Sequence, residues 1–361
     1  MNILGIETSC DETAAAVVQD GAKLLSHVVA SQIDIHREFG GVVPEIAARS
    51  HIEAILPIVD KALEQAFPAK SASASELWDS IDGIAVTHGP GLSGSLLIGT
   101  LTARTLAITK QKALWPIHHV EAHTYANFIT SSRGKLGLSL PSHDPEFPLL
   151  SLTVSGGHSQ LILFTDHGQY RLLGRTRDDA VGEAFDKVAK VLGLSYPGGP
   201  SISRAAQDGN KDAYQFPISM LENPYDFSFS GLKTAVLRHL QGLIGEDYSY
   251  PSFEIAARLS TQQINDTAAS FQETAVKTLV EKTLRAYYEH QPKSVVIAGG
   301  VAANQRLREV LQDRMPTQIE YAPISLCTDN AAMIASRGYW EALSTEATDP
   351  YLLEVKPSLP M

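Results

Sequence analysis

A strand–turn–strand unit that occurs twice, once at the start of each half of the chain, constrains the fold more than any other feature. Residues 2–8 (NILGIET) and 13–18 (TAAAVV) flank the turn Ser9-Cys10-Asp11-Glu12. Residues 149–155 (LLSLTVS) and 158–164 (HSQLILF) flank Gly156-Gly157. Short apolar runs bounded by turn-forming residues read as strands. Two halves that begin alike suggest two related domains facing one cleft, although the identity between the hairpins is too weak to establish duplication alone. Length agrees, because 361 residues exceed what a single core usually supports.

A third element lies at 294–312. The apolar run Ser294-Val295-Val296-Ile297-Ala298 leads into Gly299-Gly300 and then a helix through Asn304 and Arg308. A buried strand feeding a Gly-rich turn and a helix N-terminus is a nucleotide-site geometry. Elsewhere β runs alternate with helical patterns, so the class is α/β. The expected division places one domain at 1–125 with 328–361 and the other at 126–327, with an insertion near 200–260. Residues 131–148 read as a connecting loop, and the Ser/Ala stretch near 71–75 as an exposed loop tip.

Composition excludes several classes. The longest apolar runs are broken well short of the ~20 residues that a membrane span needs. Residues 1–20 hold acids where a secretion signal would hold bases. Two cysteines, Cys10 and Cys327, make no disulfide framework, so a reducing cytoplasm is the expectation. A net charge of -11 argues against nucleic-acid binding over the whole surface. It leaves room for a local basic patch, or for partner proteins that share the contact.

The sharpest local signal is Ile117-His118-His119-Val120-Glu121-Ala122-His123. His119 and His123 are four apart, so on a helix their imidazoles share a face and can bind one metal. A pair of buried, hydrogen-bonded histidines explains the spacing equally well. A third ligand must come from elsewhere, and Asp329 in Cys327-Thr328-Asp329-Asn330 is the natural candidate, although an N-cap before the following helix also justifies an Asp there. Two His and one carboxylate suit Fe(II), with Zn as the rival. The zinc-protease signature His-Glu-x-x-His is absent. Glu121 follows His119 by two residues, about 200° around a helix, and points away from the metal face.

The glycine turns are less specific one by one. Ser155-Gly156-Gly157 can cradle phosphate oxygens with backbone N–H groups, or be a plain tight turn. Gly299-Gly300 has the same ambiguity, and Tyr196-Pro197-Gly198-Gly199-Pro200 reads as a rigid loop. Their order along the chain favours the phosphate reading. Asp11 and Glu12 occupy a turn where phosphate- or metal-facing groups are expected, though acids are ordinary turn formers. Asp186 lies in an expected helix 179–192 with Lys190 four residues on, a spacing that a surface ion pair also explains. Each cysteine is expected to be a small buried thiol. Arg171, Arg175 and Arg177 read as a solvated edge.

Two phosphate-type hairpins followed by a strand–Gly-Gly–helix element resemble the ordered landmarks of the actin-like ATPase superfamily, which includes sugar kinases, heat-shock chaperones and actin. Within it, the motifs resemble one family. They are Gly5-Ile6-Glu7-Thr8-Ser9-Cys10-Asp11-Glu12-Thr13, Gly89-Pro90-Gly91-Leu92, His119-Val120-Glu121-Ala122-His123, Val154-Ser155-Gly156-Gly157-His158, Gly182-Glu183-Ala184-Phe185-Asp186-Lys187, Tyr196-Pro197-Gly198-Gly199-Pro200, Phe229-Ser230-Gly231-Leu232-Lys233, Gly299-Gly300-Val301-Ala302-Ala303-Asn304 and Cys327-Thr328-Asp329-Asn330. In this order they look like the tRNA N6-adenosine threonylcarbamoyltransferases, over about residues 2–340.

The resemblance implies a two-domain actin-like ATPase fold with a central nucleotide cleft. It implies transfer of a threonylcarbamoyl group from L-threonylcarbamoyladenylate to N6 of the adenosine beside the anticodon of tRNA, with release of AMP. It also implies one iron ion held by His119, His123 and Asp329, and adenylate bound by Thr153, Val154, Ser155, Gly156, Gly157, Asp186, Gly199 and Asn304. Asp11 or Glu12 is then placed to take the amine proton. The family further implies two helper proteins, a related actin-like protein without the metal site and a small ATPase. A small-molecule kinase of the same fold, an actin- or chaperone-type nucleotide switch, and a metalloprotease are the alternatives.

Overall fold

The structure, a computed structural model, describes residues 1–68, 74–133, 138–319 and 321–361. The chain divides into two compact units, Met1–Pro145 with Glu320–Met361, and Glu146–Ile319. The first unit is built on a six-stranded sheet in the order β5-β4-β1-β2-β3-β6. Its strands are β1 (Asn2–Glu7), β2 (Glu12–Gln19), β3 (Lys23–Ser31), β4 (Gly83–Gly89), β5 (Ala113–His118) and the short β6 (Ser131–Ser132). β1 pairs antiparallel with β2 and parallel with β4. Both faces are covered, so β1 and β2 are buried almost end to end and read as continuous apolar runs without alternation. The helices of this stretch are α1 (Ile33–Arg37), α2 (Pro44–Ala66), α3 (Ala74–Asp79), α4 (Ser93–Lys110) and α5 (His119–Tyr125). Ile55, Val59, Ala62 and Leu63 of α2 pack with Leu4, Ile6 and Val17 of the sheet in one apolar core.

The second unit carries a four-stranded sheet in the order β10-β7-β8-β9, with β7 (Leu149–Val154), β8 (Ser159–Asp166), β9 (Gln169–Arg175) and β10 (Ser294–Ala298). β7 and β10 are parallel, with Thr153 opposite Ala298, so both strands end at the same edge of the sheet. Five helices complete this unit: α6 (Val181–Val191), α7 (Gly198–Gln207), α8 (Ser230–Leu243), α9 (Thr261–His290) and α10 (Gln305–Arg314). The 30-residue α9 starts with a capping box between Ser260 and Gln263.

The chain then returns to the first unit with α11 (Ile324–Cys327) and α12 (Ala331–Ser344). α12 lies against the face of the sheet opposite α2 and α4, and Gly5 permits the approach: a Cβ there would fall 2.2 Å from the Ala331 carbonyl oxygen. This contact sets where the residues just before α12 lie. Beyond α12, Lys356 N–H donates to the His88 carbonyl at 2.7 Å and ties the tail to the end of β4.

The expected α/β class is observed, with differences in detail. The division falls at 145/146 and 319/320, where 125/126 and 327/328 were expected. Residues 126–128 continue α5 as a helical turn, Ser131–Ser132 pairs with Lys23–Leu24 of β3, and the Asn127 side chain accepts from Ala322 N–H, all within the first unit. Part of the expected loops, residues 71–73 and 134–137, lies outside the described residues. The helix expected over 179–192 spans Val181–Val191, and Asp179 before it receives both Lys187 and Lys233 at 2.8 Å. The expected insertion near 200–260 contains the end of α7 and all of α8, joined by the irregular stretch 208–229. Among the described residues no helix is long and apolar enough to cross a membrane.

Candidate metal centre and nucleotide turns

In the first unit, β5 runs directly into α5, and His118 at the junction caps the helix. Its Nδ1 accepts from the N–H groups of Val120 and Glu121 at 3.2 and 3.4 Å. Only a neutral imidazole can do this, and burial, helped by His119 and His88, pushes His118 down to about 4. Capped in this way, α5 presents His119 and His123 one turn apart, with ring centroids 4.7 Å from each other.

Both turn Nε2 toward Asp329, whose Oδ1 lies 3.6 Å from His119 and 3.3 Å from His123. One ligand atom from each of the three residues falls within 4.8 Å of the others. Ligands bonded at 2.0–2.2 Å around one ion are separated by about 3–3.5 Å, close to the two distances from Asp329 to the histidines. Burial fits as well. Both ring nitrogens of His123 are buried and make no hydrogen bond, an arrangement that costs roughly 1–3 kcal/mol per group unless something occupies them.

Behind His119 stands Glu7, at the end of β1 and fully buried. Its Oε2 lies 3.0 Å from His119 Nδ1 and accepts the Thr87 hydroxyl at 2.6 Å, while Oε1 accepts the Ser9 N–H. Burial would raise this carboxyl, but the pull of His119 outweighs it and keeps Glu7 below its ordinary range. A carboxylate on the distal nitrogen orients a ligating imidazole and makes it more basic. Burial alone would lower His119, yet Asp329 and Glu7 lift it to about 9.

Asp329 does not cap the helix that follows. That task falls to Asn330, whose Oδ1 accepts from Met333 N–H at 3.1 Å. Glu121 points away from the ligand set and meets Arg337 of α12 at 2.6 Å. Glu12, expected in the hairpin turn, is the first residue of β2, opposite Ser31, whose hydroxyl it accepts at 3.2 Å. Burial first, then Asp329 and Asp11, raise Glu12 to about 9. Cys10 is half-buried, its thiol pushed up chiefly by burial, and Cys327 is buried with its thiol donating to the Ala322 carbonyl.

In the second unit the predicted adenylate residues gather where β7 and β10 end. Thr153 and Val154 are wholly buried in β7. Gly156 and Gly157 follow at the hairpin tip, and a Cβ on either would meet nothing within 4 Å. The fold itself does not demand glycine there, whereas it does at Gly299: φ is +86° and a Cβ would sit 2.3 Å from the Val154 carbonyl oxygen. Asp186 accepts from Gly198 N–H at 2.6 Å and so fixes the start of α7, next to Gly199, whose Cβ position is also open.

Asn304, expected inside the helix, is its N-cap: Oδ1 accepts from Leu307 N–H at 2.9 Å. Its amide donates to Gln272 and Ser203 at 2.9 and 3.1 Å, joining α7, α9 and α10. Arg177 of the basic run is held by Asp226 at 2.5 Å.

Sequence reasoning missed Glu7, Thr87, Ser203 and Gln272. Only Glu7 carried a local signal, an acid closing an otherwise apolar strand.

Comparison with known proteins gives three findings. A family model described as tRNA N6-adenosine threonylcarbamoyltransferase matches residues 23–336. Proteins of that same name are similar along nearly the whole chain. One from Thermomicrobium roseum is 49% identical, covering 95% of this chain and 92% of that protein. Another from Dehalococcoides mccartyi is 48% identical, covering 99% of each. Among solved structures, full-length HypF in a phosphate- and nucleotide-bound form is 11% identical with a TM-score of 0.57, over 96% of this chain and 47% of that one. This last likeness shows the fold alone, that of the actin-like ATPases.

Proposed function

The chain belongs to the tRNA N6-adenosine threonylcarbamoyltransferase family, and on that premise we propose how its residues serve the transfer. The group moves from L-threonylcarbamoyladenylate to N6 of adenosine 37 in tRNAs that read codons beginning with A. The adenine amine attacks the carbamoyl carbon, the bond to the phosphate oxygen breaks, and AMP leaves with that electron pair. The observation that carries the proposal is the set of two buried imidazoles, His119 and His123, and the partly exposed Asp329, with Glu7 behind it. A small-molecule kinase has no use for such a set. A metalloprotease would need Glu121 as a base, and Arg337 occupies it.

One iron ion, Fe2+, with Zn2+ as the rival, would be held by His119, His123 and Asp329 and would supply Lewis acidity toward the carbamoyl oxygen. The chain's own residues do the rest. The N–H groups of Gly156 and Gly157, where an added Cβ would meet nothing within 4 Å, receive the adenylate phosphate. Asp186 and Asn304 set the α7 and α10 termini that border the nucleotide. Asp11, with Glu12 beside it, takes the proton from N6.

With 40 acidic against 29 basic side chains, this chain relies on helpers to hold tRNA: a related actin-like protein without the metal site and a small ATPase. We place the reaction in the cytoplasm.

The test is mass spectrometry of tRNA nucleosides from cells depleted of the protein. Threonylcarbamoyladenosine should fall away while other modified nucleosides persist, and an unchanged level would overturn the function.

A further inference from the structure

A chain of buried polar side chains enters the first hairpin turn from the side of α1 and α2. Thr13, Gln32, His36 and His51 are all at most 5% exposed. Their hydrogen bonds run in one consistent direction. Val43 N–H donates to His36 Nδ1 at 3.3 Å, so His36 Nε2 carries the hydrogen and gives it to Gln32 Oε1 at 3.2 Å. Gln32 Nε2 then faces the Ala47 carbonyl and His51 Nδ1, each at 3.4 Å. His51 Nδ1 accepts the Thr13 hydroxyl at 2.8 Å, and its Nε2–H donates to the Cys10 carbonyl at 3.0 Å. The backbone N–H of Gln32 takes the next carbonyl, that of Asp11, at 3.1 Å.

Two successive carbonyls of the Cys10–Glu12 turn are thus gripped by one network. On the other side, Leu92 N–H holds the Ser9 carbonyl at 2.8 Å. Four buried polar residues are a costly way to fill a core, and a satisfied network of this kind specifies one geometry where apolar packing would allow several. What it specifies here is the backbone that carries Asp11 and Glu12.

We infer that His51 is a positioning residue for the transfer reaction: by holding the Cys10 carbonyl, it presents the Asp11 and Glu12 carboxyls to the reacting amine in a single orientation. The inference rests on the transfer reading above and on Asp11 as proton acceptor. The hydrogen bonds of His51 go to Thr13, Gln32 and Cys10, none of them a proposed metal ligand, and it lies in the other unit from the nucleotide turns, so its loss should leave both alone. A displacement on the order of 1 Å at a reacting group is enough for a hundredfold loss of rate.

The experiment measures transfer to tRNA by the full chain with its helpers and preformed threonylcarbamoyladenylate, in His51→Leu, His51→Gln and the milder Thr13→Val. His51→Leu should lower kcat by about 10–100-fold, with KM for the adenylate and metal content unchanged. His51→Gln, which keeps a donor for Cys10, should recover most of the loss. Amide exchange at Asp11–Thr13 should accelerate in His51→Leu and, less, in Thr13→Val. In an Asp11→Asn background, His51→Leu should add no further loss, because both act at one step.

Losses that multiply in the double variant overturn the inference, as does a kcat within twofold of wild type, or a fall in kcat that tracks lost metal. If wild type itself transfers nothing, the function falls and this inference with it. Transfer by wild type that ignores His51 removes this inference alone.

Discussion

Glu7, at the end of the first strand, stands 3.0 Å from Nδ1 of His119, a residue 112 positions later, and so fixes which ring nitrogen faces Asp329. Glu7→Gln keeps the shape and removes the charge. Metal affinity should fall about 10–100-fold, read by competition with a chelator of known strength. Equal affinity would reduce Glu7 to a filler of the core.

His118 and His123 should separate cleanly. His123→Ala removes a ligand and should abolish stoichiometric metal on elemental analysis, with little loss of fold, since its ring nitrogens make no hydrogen bond. His118→Ala removes the cap of α5 and no member of the His119, His123 and Asp329 set. It should cost about 1 kcal/mol in a denaturant melt while metal content stays at one per chain. Metal lost on His118→Ala alone would place that residue in the site.

Glycines that look alike in the sequence should behave differently. Gly157→Val should leave the melting curve near wild type, because its Cβ enters open space, and should abolish AMP binding in calorimetry. Gly5→Val should fail to fold, because its side chain would strike the backbone of α12. Undiminished AMP affinity in Gly157→Val would show that the turn binds no phosphate.

Glu12 gives a pH signature in the metal-stripped protein. Its folded value of about 9 lies above the ordinary 4.5, so the fold favours the protonated form. The associated stability is complete below pH 4.5 and drains away as pH rises toward 9. Glu12→Gln should therefore melt higher than wild type at pH 8 and alike at pH 4.5. Parallel curves would contradict the buried-acid assignment.

Arg337 is buried between Glu121 at 2.6 Å and Glu341 at 2.5 Å. Arg337→Met strands Glu121 and should cost about 3–5 kcal/mol in urea unfolding. Adding Glu121→Gln should return much of that loss. If the double variant is no better than the single, the pair is not what stabilises this contact.

The sequence made His119 and His123 legible because a spacing of four is a local property of a helix. Glu7 escaped because its partner is 112 residues away and nothing local announces it. Asp329 and Asn330 are both natural capping residues, side by side, and only the backbone path decides that Asn330 caps. The hairpins and the strand before Gly299 could be read directly, since their apolar runs are bounded by turn residues. The domain division could not, because a two-residue strand and the side chain of Asn127 draw residues 126–145 into the first unit.

The first unit begins with β1 and closes with α12, and the second unit is spliced between them. During translation His123 therefore leaves the ribosome about 200 residues before Asp329. At 5–20 residues per second the nascent chain carries two imidazoles without their carboxylate for roughly 10–40 s. The interposed unit, 146–319, is contiguous and has time to fold first. On the proposed metal reading, loading would be a terminal event of synthesis, and a chain stalled before residue 329 would hold the turns of 146–319 without the third member of the His119, His123 and Asp329 set.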